Sequence, residues 1–267
     1  MQIARKGREG RVDERSIRAL DHVIAAGIGE LPLRMVHQGT LAPYIAERLK
    51  VNAPGTVNRD LAVIRRVLNL AARLWRDDQG RPWLQTAPLI QMVPNTNPRK
   101  PYVLTWDEQE RFLSAVGKRW LRDAVILGVN CGAREGELCA LRWDWAVERG
   151  DRMLFVLPGS LCKNGQERVL VPNRAAQSVL CERRLLGTPT VLAYANGKPI
   201  TRINGDTWGE AWKAAGLPAG REYRRGPHNL RHTYGHRLRA AGVSREMRAD
   251  LLGHKRRTSR PTTAKPR

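Results

Sequence analysis

Long apolar runs are missing from this sequence of 267 residues. No stretch of about 18 apolar residues occurs, the length that a helix needs to cross a bilayer, which excludes a membrane-spanning helix. The basic start, MQIARKGREGR, is followed by Val12, Asp13 and Glu14 and not by an apolar segment, so we expect no secretory signal peptide. Together these absences predict a cytoplasmic protein.

Cysteine is also scarce, and the few cysteines match neither a disulfide framework nor a zinc site. They form no C-x-x-C pair, and no histidine stands at a spacing that zinc sites use. We therefore interpret them as reduced and mostly buried. The four are Cys131, Cys139, Cys162 and Cys181.

Acidic residues are too few to balance the basic ones, with 25 Asp and Glu against 47 Lys and Arg. The net charge of +22 and the pI near 11.1 are typical of a protein that binds a polyanion, and nucleic acid is the leading partner. A membrane surface is the competing polyanion. Residues 221–267 carry 14 Lys and Arg against three acids, so we predict that the phosphate-binding surface lies there.

The first part of the chain has a helical pattern. In TVNRDLAVIRRVLNLAARLW, apolar residues recur at helical spacing while the arginines fall elsewhere, which predicts an amphipathic helix with a basic flank. The segment VPNTNPRKP, residues 93–101, has three prolines and no apolar periodicity, as is typical of a linker. We therefore divide the chain into a helical domain, residues 1–95, and a second domain, residues 96–267. The predicted apolar face consists of Val57, Leu61, Ile64, Leu68, Ala71 and Leu74.

The second domain combines helices with two strands. Thr105 and Glu108 form a capping box before a helix that extends through Val116, and a second helix runs from near Trp120 to Gly132. RMLFVLP and RVLVP have the composition of antiparallel strands, and KNG between them favours a tight hairpin turn. The fold class is therefore mainly α with a small antiparallel β-sheet. Further helices are predicted at about residues 173–186, 204–215, 228–241 and 244–252.

Four separated positions suggest phosphate chemistry. In HNLRH, His228 and Arg231 are three residues apart and share one helix face, from which a guanidinium and an imidazole can reach one phosphate. An isolated H-x-x-R more often belongs to a solvated basic helix, so this motif alone is weak. Arg134 opens another helix, where its side chain and the backbone N–H groups are expected to face an anion. Lys163 lies at the predicted hairpin tip, and His254 lies just beyond a further helix.

Taken together, these segments resemble the tyrosine recombinase family, the phage-integrase type of site-specific DNA recombinase. GAREGELCALRW is similar to the family's first arginine box, HNLRHTYGHRLRAAG to its second, and LLGHK to the start of its third. KNGQERVLVP resembles the hairpin that carries the family's lysine. The resemblance covers roughly residues 100–260. More loosely, TVNRDLAVIRRVLNLA resembles the family's helical core-binding domain, so the resemblance implies a core-binding domain followed by a catalytic domain.

The resemblance implies a role for each candidate. The two arginines would hold the scissile phosphate and offset the charge of its transition state in place of a metal ion, so neither a metal nor another cofactor is implied. The two histidines would hydrogen-bond the same phosphate, the lysine would protonate the leaving 5′ oxygen, and the glutamate would orient its neighbours. These residues are Arg134, Glu137, Lys163, His228, Arg231 and His254.

The nucleophile that the resemblance implies is missing. In the family, a tyrosine about nine residues after the last histidine forms a covalent 3′-phosphotyrosyl bond. Here KRRTSRPTTAKPR follows His254, and Thr263 stands at about that place. Tyr234, inside the second box, is expected to pack in the core, and Tyr223 has no counterpart in the family. We therefore expect a truncated or altered C-terminus and impaired catalysis.

The implied function is cleavage and rejoining of double-stranded DNA by a site-specific recombinase or integrase, acting as a homo-oligomer on its site without a membrane or small-molecule partner. A second hypothesis is a non-catalytic DNA-binding regulator, or a decoy that occupies recombination sites. It predicts the same charge and helices but does not explain why four segments match an active site. An RNA-binding function has little support, because no aromatic-rich strand motif for base stacking occurs.

Overall fold

The computed structural model divides the chain into two compact units, Met1–Pro98 and Arg99–Arg267. The residues that it describes are 14–95, 98–162, 165–203, 205–220, 222–223 and 226–254. Among these residues, no helix has both the length and the apolar character needed to cross a membrane.

The first unit is helical. Its helices are α1 (Glu14–Ala25), α2 (Gln38–Val51) and α3 (Pro54–Arg73). Helix α3 starts with a proline, whose fixed φ suits the first helical position, and its predicted apolar face is buried from Val57 to Ala71. Leu74 is a correction to that prediction. The helix ends at Arg73, and Leu74, the capping residue after it, is 59% exposed.

A buried carboxylate joins two helices of the first unit. Asp60 on α3 accepts a hydrogen bond from the Tyr44 hydroxyl at 3.0 Å and forms an ion pair with Arg48 at 2.9 Å. Tyr44 and Arg48 both belong to α2. A buried charge is tolerated when it is paired and hydrogen-bonded, and Asp60 satisfies both conditions. The two helices are therefore held together by this polar contact as well as by apolar packing.

The second unit contains both helices and strands, and the predicted fold class, mainly α with a small antiparallel sheet, is confirmed. Thr105 and Glu108 form the predicted capping box, with reciprocal hydrogen bonds of 3.2 and 2.9 Å. Trp208 and Trp212 are buried against Phe112. The elements are α4 (Trp106–Ala115), α5 (Arg119–Cys131), α6 (Glu135–Cys139), β1 (Ala146–Arg149), β2 (Arg152–Leu157), β3 (Arg168–Leu170), α7 (Arg174–Arg184), α8 (Asp206–Ala214), α9 (His228–Ala240) and α10 (Arg245–Leu252).

The sheet has the strand order β1-β2-β3, and both pairs are antiparallel. Strands β2 and β3 match the sequence prediction, whereas β1 is missed because its four residues carry too short a pattern. The predicted tight turn at KNG stays a prediction. Leu157 pairs with Arg168, so the connection spans residues 158–167, much longer than a two-residue hairpin. Asn164, the first residue of the predicted Asn-Gly turn, lies outside the described residues.

Helices α5 and α9 approach each other closely at two glycines. A Cβ added to Gly128 would lie 2.7 Å from Leu230 Cδ1, and one added to Gly132 would overlap the ring of Tyr234. Gly132 also ends α5 with φ of +62°, a conformation that glycine adopts without strain. Tyr234 is buried, as predicted. This packing fixes Arg231, which lies between the two contacting side chains on α9.

Helix α9 is also held by the chain that precedes α4. The backbone N–H of Tyr102 donates to Asn229 Oδ1 at 3.1 Å, and that of Leu104 donates to Thr233 Oγ1 at 3.0 Å. Asn229 and Thr233 are fully buried and one helical turn apart. These bonds satisfy buried polar groups on both sides, which restricts how α9 can rotate.

We predict opposite effects for alanine at two glycines. Gly132→Ala should lower the free energy of unfolding by about 2–5 kcal/mol, because it adds left-handed strain and a collision with Tyr234. Gly209→Ala, on the exposed face of α8 with nothing near the added Cβ, should be neutral or stabilise by up to about 1 kcal/mol. Urea unfolding measures both. Equal stability of the two variants would contradict the close packing of α9 on α5.

Candidate functional site

A buried carboxylate, Glu137, lies among the candidate residues and is only 2% exposed. Its Oε1 accepts from Arg134 Nη1 at 2.5 Å, and its Oε2 accepts from the Arg134 backbone N–H at 2.8 Å and from Arg168 Nη1. Burial raises the pKa of Glu137, but the charge of Arg168 and the hydrogen bonds from Arg134 outweigh burial and lower the pKa below its ordinary value. Glu137 therefore stays ionised at neutral pH.

Three successive backbone carbonyls at the end of α10 each accept a hydrogen bond from a different arginine. Leu251 O accepts from Arg168 Nη2 at 2.7 Å, Leu252 O from Arg231 Nη2, and Gly253 O from Arg134 Nη2 at 3.4 Å. The last carbonyls of a helix lack partners within the helix and carry partial negative charge, which favours a guanidinium there. His254 follows directly, so these bonds fix the backbone from which its side chain extends.

The same arginines also bind the end of α5. The Gly132 carbonyl accepts from Arg231 Nη1 at 2.7 Å and from Arg168 Nη2 at 3.4 Å. The guanidinium groups thus connect the end of α5 with the end of α10 around one carboxylate. We call Arg134, Arg168, Arg231 and Glu137 the arginine cluster.

The arginine cluster carries an excess of positive charge. Burial, together with the charges of Arg134 and Arg168, lowers the pKa of Arg231 to about 9. Burial and the charges of the three arginines also lower the pKa of His254 below its ordinary value, so this exposed histidine is neutral at pH 7. A like-charge cluster with one counter-ion is destabilised by mutual repulsion, and a bound anion would relieve that repulsion.

The structure brings several of the predicted site residues together. Arg134, Glu137 and Arg231 share the arginine cluster, and His254 lies within its field. His228 is the exposed first residue of α9, three residues before Arg231, with its ring 4.6 Å from that of His232. The remaining predictions, Lys163 and Thr263, lie outside the described residues.

One expectation about Arg134 is corrected. Arg134 does precede a helix, α6, as predicted, but its backbone N–H donates to Glu137 at 2.8 Å and is not directed at a ligand. The short helix begins with a side-chain cap that uses the available donor. Only the guanidinium of Arg134, about a quarter exposed, remains to meet an anion.

Arg168 is a site residue that the sequence reasoning missed. It is the first residue of β3, where Arg168 and Leu170 are buried while Val169 between them is 46% exposed. Strand alternation in RVLVP therefore places an arginine on the core face, where a charge requires a buried counter-ion. The need of this buried arginine for a counter-ion was the signal in the sequence that could have identified Arg168. It points to a buried acid elsewhere in the chain, which is Glu137.

The described part of the chain holds no group of three or more His, Cys, Asp or Glu residues that could bind a metal ion. One thiol close to the cluster is that of Cys131 at the end of α5. Burial raises the pKa of Cys131 to about 11, so it is protonated at neutral pH.

Comparison with known proteins identifies the family. The sequence model described as the phage integrase family matches residues 102–260, more than half of the chain. The chain belongs to the phage integrase family. The matched range includes both arginine-box segments, HNLRH and GAREGELC, and the β2–β3 hairpin. A comparison with curated proteins found no match.

Solved structures share the fold at low sequence identity. Lambda integrase bound to DNA has a TM-score of 0.71 and 20% identity, covering 96% of this chain and 89% of that chain. The Tn1549 transposon integrase in complex with circular intermediate DNA has a TM-score of 0.68 and 20% identity, covering 92% and 85%. A lambda integrase tetramer bound to a Holliday junction has a TM-score of 0.64 and 21% identity, covering 91% and 72%.

We predict that Glu137→Gln destabilises this phage integrase family member by about 3–5 kcal/mol at pH 7, because the buried arginines lose their paired carboxylate. The stabilisation from Glu137 is fully present above its ordinary pKa of 4.5 and is lost as pH falls through its lowered folded-state pKa. Urea unfolding between pH 7 and pH 3 should therefore show the two proteins converging in stability at acid pH.

The matched control is Glu182→Gln. Glu182 forms an exposed ion pair with Arg119 at 2.7 Å, and removing such a pair should change stability little at any pH. Equal losses from Glu137→Gln and Glu182→Gln would contradict a buried role for Glu137.

Proposed function

We propose that this chain binds duplex DNA as a site-specific recombinase or integrase of its family, with Arg134 and Arg231 holding one backbone phosphate. The observation that carries the proposal is the arginine cluster, in which one buried carboxylate pairs with Arg134 and Arg168 while Arg231 donates to the neighbouring Gly132 carbonyl. Family membership supports the same partner, as does the DNA bound to the lambda and Tn1549 integrases in their solved structures.

The two arginines suit a phosphate for a geometric reason. A guanidinium has five N–H donors, and the described hydrogen bonds of Arg134 and Arg231 side chains use two in each. The remaining donors can form the bidentate pairs that arginine makes with phosphate oxygens. Partial burial strengthens such pairs, because the local dielectric constant is lower than in water.

The other candidates complete a strand-cleavage site. His254 is neutral at pH 7, so it offers a hydrogen bond to the phosphate without adding charge. His228 would bind the same phosphate, and Lys163 would protonate the leaving 5′ oxygen. Glu137 orients Arg134 through two hydrogen bonds and would not react itself. No metal or other cofactor is needed, since the arginines offset the charge of the transition state.

The nucleophile is the missing part of this site. Residues 255–267, KRRTSRPTTAKPR, contain no tyrosine, and Thr263 stands where the family's tyrosine is expected. A threonine alkoxide is a much poorer leaving group than a phenolate, so Thr263 cannot substitute for it. Burial raises the pKa of Tyr234, whose ring packs against Gly132. We therefore propose that these 267 residues bind DNA without forming a phosphotyrosyl bond.

The helical first domain, residues 1–95, would form the second half of a DNA clamp. Arg59, Arg65 and Arg73 are exposed along α3, whose opposite face is buried. Such a basic helix face is suited to phosphate contacts, which supply most of the affinity of non-specific DNA binding. The lambda integrase tetramer bound to a Holliday junction supports a homo-oligomer on DNA.

The missing tyrosine also favours a second candidate function, a regulator or decoy that occupies recombination sites. Such a protein would keep the phosphate-binding arginines for affinity and would have no use for a nucleophile. It predicts that added chain displaces a cleavage-competent recombinase from a shared site. Strand cleavage by this chain would exclude it.

Duplex binding tests the phosphate site. The probe is a duplex enriched from a random-sequence library by repeated binding to the chain. Arg231→Ala should weaken binding at least about tenfold, since a hydrogen bond to a charged group contributes about 1.5–3 kcal/mol. The slope of log affinity against log salt should fall by about 0.9 for each phosphate that the variant no longer neutralises.

The matched control for that experiment is Arg119→Ala, which removes an exposed arginine from α5 that is ion-paired with Glu182. We expect it to change affinity less than about twofold, because the charge lies outside the arginine cluster. If both variants weaken binding equally, the cluster is not the phosphate site.

Covalent chemistry tests the missing nucleophile. With a nicked suicide duplex of the selected sequence, the chain should give no DNA-linked band on a denaturing gel. If Thr263→Tyr creates such a band, Arg134→Ala in the same chain should reduce it about a hundredfold or more, because an oxyanion-stabilising donor is removed. A DNA-linked band from the unaltered chain would contradict the proposal, and peptide mapping would identify its nucleophile.

A further inference from the structure

The three arginines of the cluster do not occupy equivalent positions. Arg168 is 5% exposed, and its side chain is covered by Gly253, where an added Cβ would lie 2.7 Å from Arg168 Nε. Arg134, by contrast, is about a quarter exposed, while Arg231 is as little exposed as Arg168. A phosphate arriving from solvent can reach Arg134, but it would have to displace the end of α10 to reach Arg168.

The bonds of Arg168 join four parts of the chain. Its Nη1 binds Glu137, and its Nη2 donates to Leu251 O at 2.7 Å and to Gly132 O at 3.4 Å. Arg168 itself begins β3, the strand that follows the Lys163 connection. One guanidinium therefore links the first arginine box, the β2–β3 hairpin and the segment that ends in His254.

We propose that Arg168 is a positioning residue of the candidate site. It holds the segment Leu251–His254 against the cluster, so that His254 lies beside the phosphate position and Arg134 and Arg231 keep donors for the anion. The phosphate part of this proposal rests on the proposed function; the positioning of His254 does not.

The requirement for arginine follows from the geometry of its acceptors. A carboxylate and two backbone carbonyls lie around the Arg168 side chain in different directions, and a planar guanidinium can donate to all three. A lysine ammonium carries the same charge at a single point on a flexible stem. Lysine at this position should therefore keep the positive charge and lose part of the hydrogen bonding that anchors the segment Leu251–His254.

Gly253 lets the segment Leu251–His254 pack closely against the Arg168 side chain. It ends α10 with φ of +58°, and any Cβ would overlap Arg168 Cδ. Arg168 Nε is buried without a hydrogen-bond partner among the described residues. All the described hydrogen bonds of the Arg168 side chain are made by its two Nη groups.

Three variants of the full chain, measured without DNA, test the proposal. Arg168→Met removes charge and anchoring, Arg168→Lys removes anchoring alone, and Arg183→Met is the matched control. Arg183 is another buried arginine of the same unit, paired with Asp123 at 2.6 Å and donating to the Ala193 carbonyl. Its replacement should destabilise the fold to a similar degree without touching the cluster.

The first measurement is hydrogen–deuterium exchange of the peptide covering residues 249–254. The amides of Gly253 and His254 donate to Asp250 O and Ala249 O, so their exchange reports opening of this segment. Arg168→Met should accelerate their exchange at least tenfold, and Arg168→Lys should accelerate it several-fold. Arg183→Met should leave it unchanged.

The second measurement is the titration midpoint of the His254 ring protons by NMR. The charges that face His254 belong to Arg231, Arg134 and Arg168. Arg168→Met should raise the midpoint, because one positive charge is removed and His254 is released from the cluster. Arg168→Lys should raise it by less, because the charge is kept and only the anchoring is lost, and Arg183→Met should keep it near the original value. A purely electrostatic role for Arg168 would leave the midpoint of the lysine variant unchanged.

The outcomes distinguish the two proposals. Unchanged exchange in Arg168→Met, or equal acceleration in Arg183→Met, would overturn the positioning role. If Arg168→Met fails to fold, the exchange of the lysine variant decides whether Arg168 positions the segment.

Duplex binding by Arg168→Lys should weaken without a change of salt slope, because Arg168 contacts no phosphate. If the unaltered chain binds no duplex, the proposed function fails while the exchange and titration results still decide the positioning of His254.

Discussion

The charge balance around Glu137 is the constraint on which the candidate site depends. One buried carboxylate supports Arg134 and Arg168 directly and stands close to Arg231. A single negative charge cannot neutralise three guanidinium groups, so backbone carbonyls at the ends of α5 and α10 accept the remaining hydrogen bonds. The outcome is a rigid site with unsatisfied positive charge, which is the property that a phosphate-binding site requires.

The fold supplies this arrangement through close helix packing. Glycines at positions 128 and 132 let α9 approach α5, and α9 then places Arg231 against the end of α5. The end of α10 lies over the same point, with Gly253 against Arg168. Small residues at these contacts should therefore matter for the proposed phosphate site as well as for stability, because a displaced helix would separate the arginines of the cluster.

The parts of this structure that follow local rules were predictable from sequence. The capping box of Thr105 and Glu108 and the apolar stripe of α3 involve residues only a few positions apart. Three other features were not predictable from sequence, because they depend on where helices and strands end. They are strand β1, the long β2–β3 connection and the exposure of Leu74. Arg168 illustrates the limit most clearly, since its partners Glu137 and Leu251 are 31 and 83 residues away. The three boxes and the lysine hairpin indicated the family, whereas the contacts among these segments could be found only in the folded structure.

The central claim is that the arginine cluster binds one DNA phosphate, and the most direct test is a structure of the chain on its selected duplex. The account predicts a backbone phosphate bound by Arg134 and Arg231, with His254 beside it and Arg168 still bonded to the Leu251 carbonyl. A complex in which the duplex leaves Arg134 and Arg231 bonded only to Glu137 and the backbone carbonyls, with no phosphate between them, would contradict it.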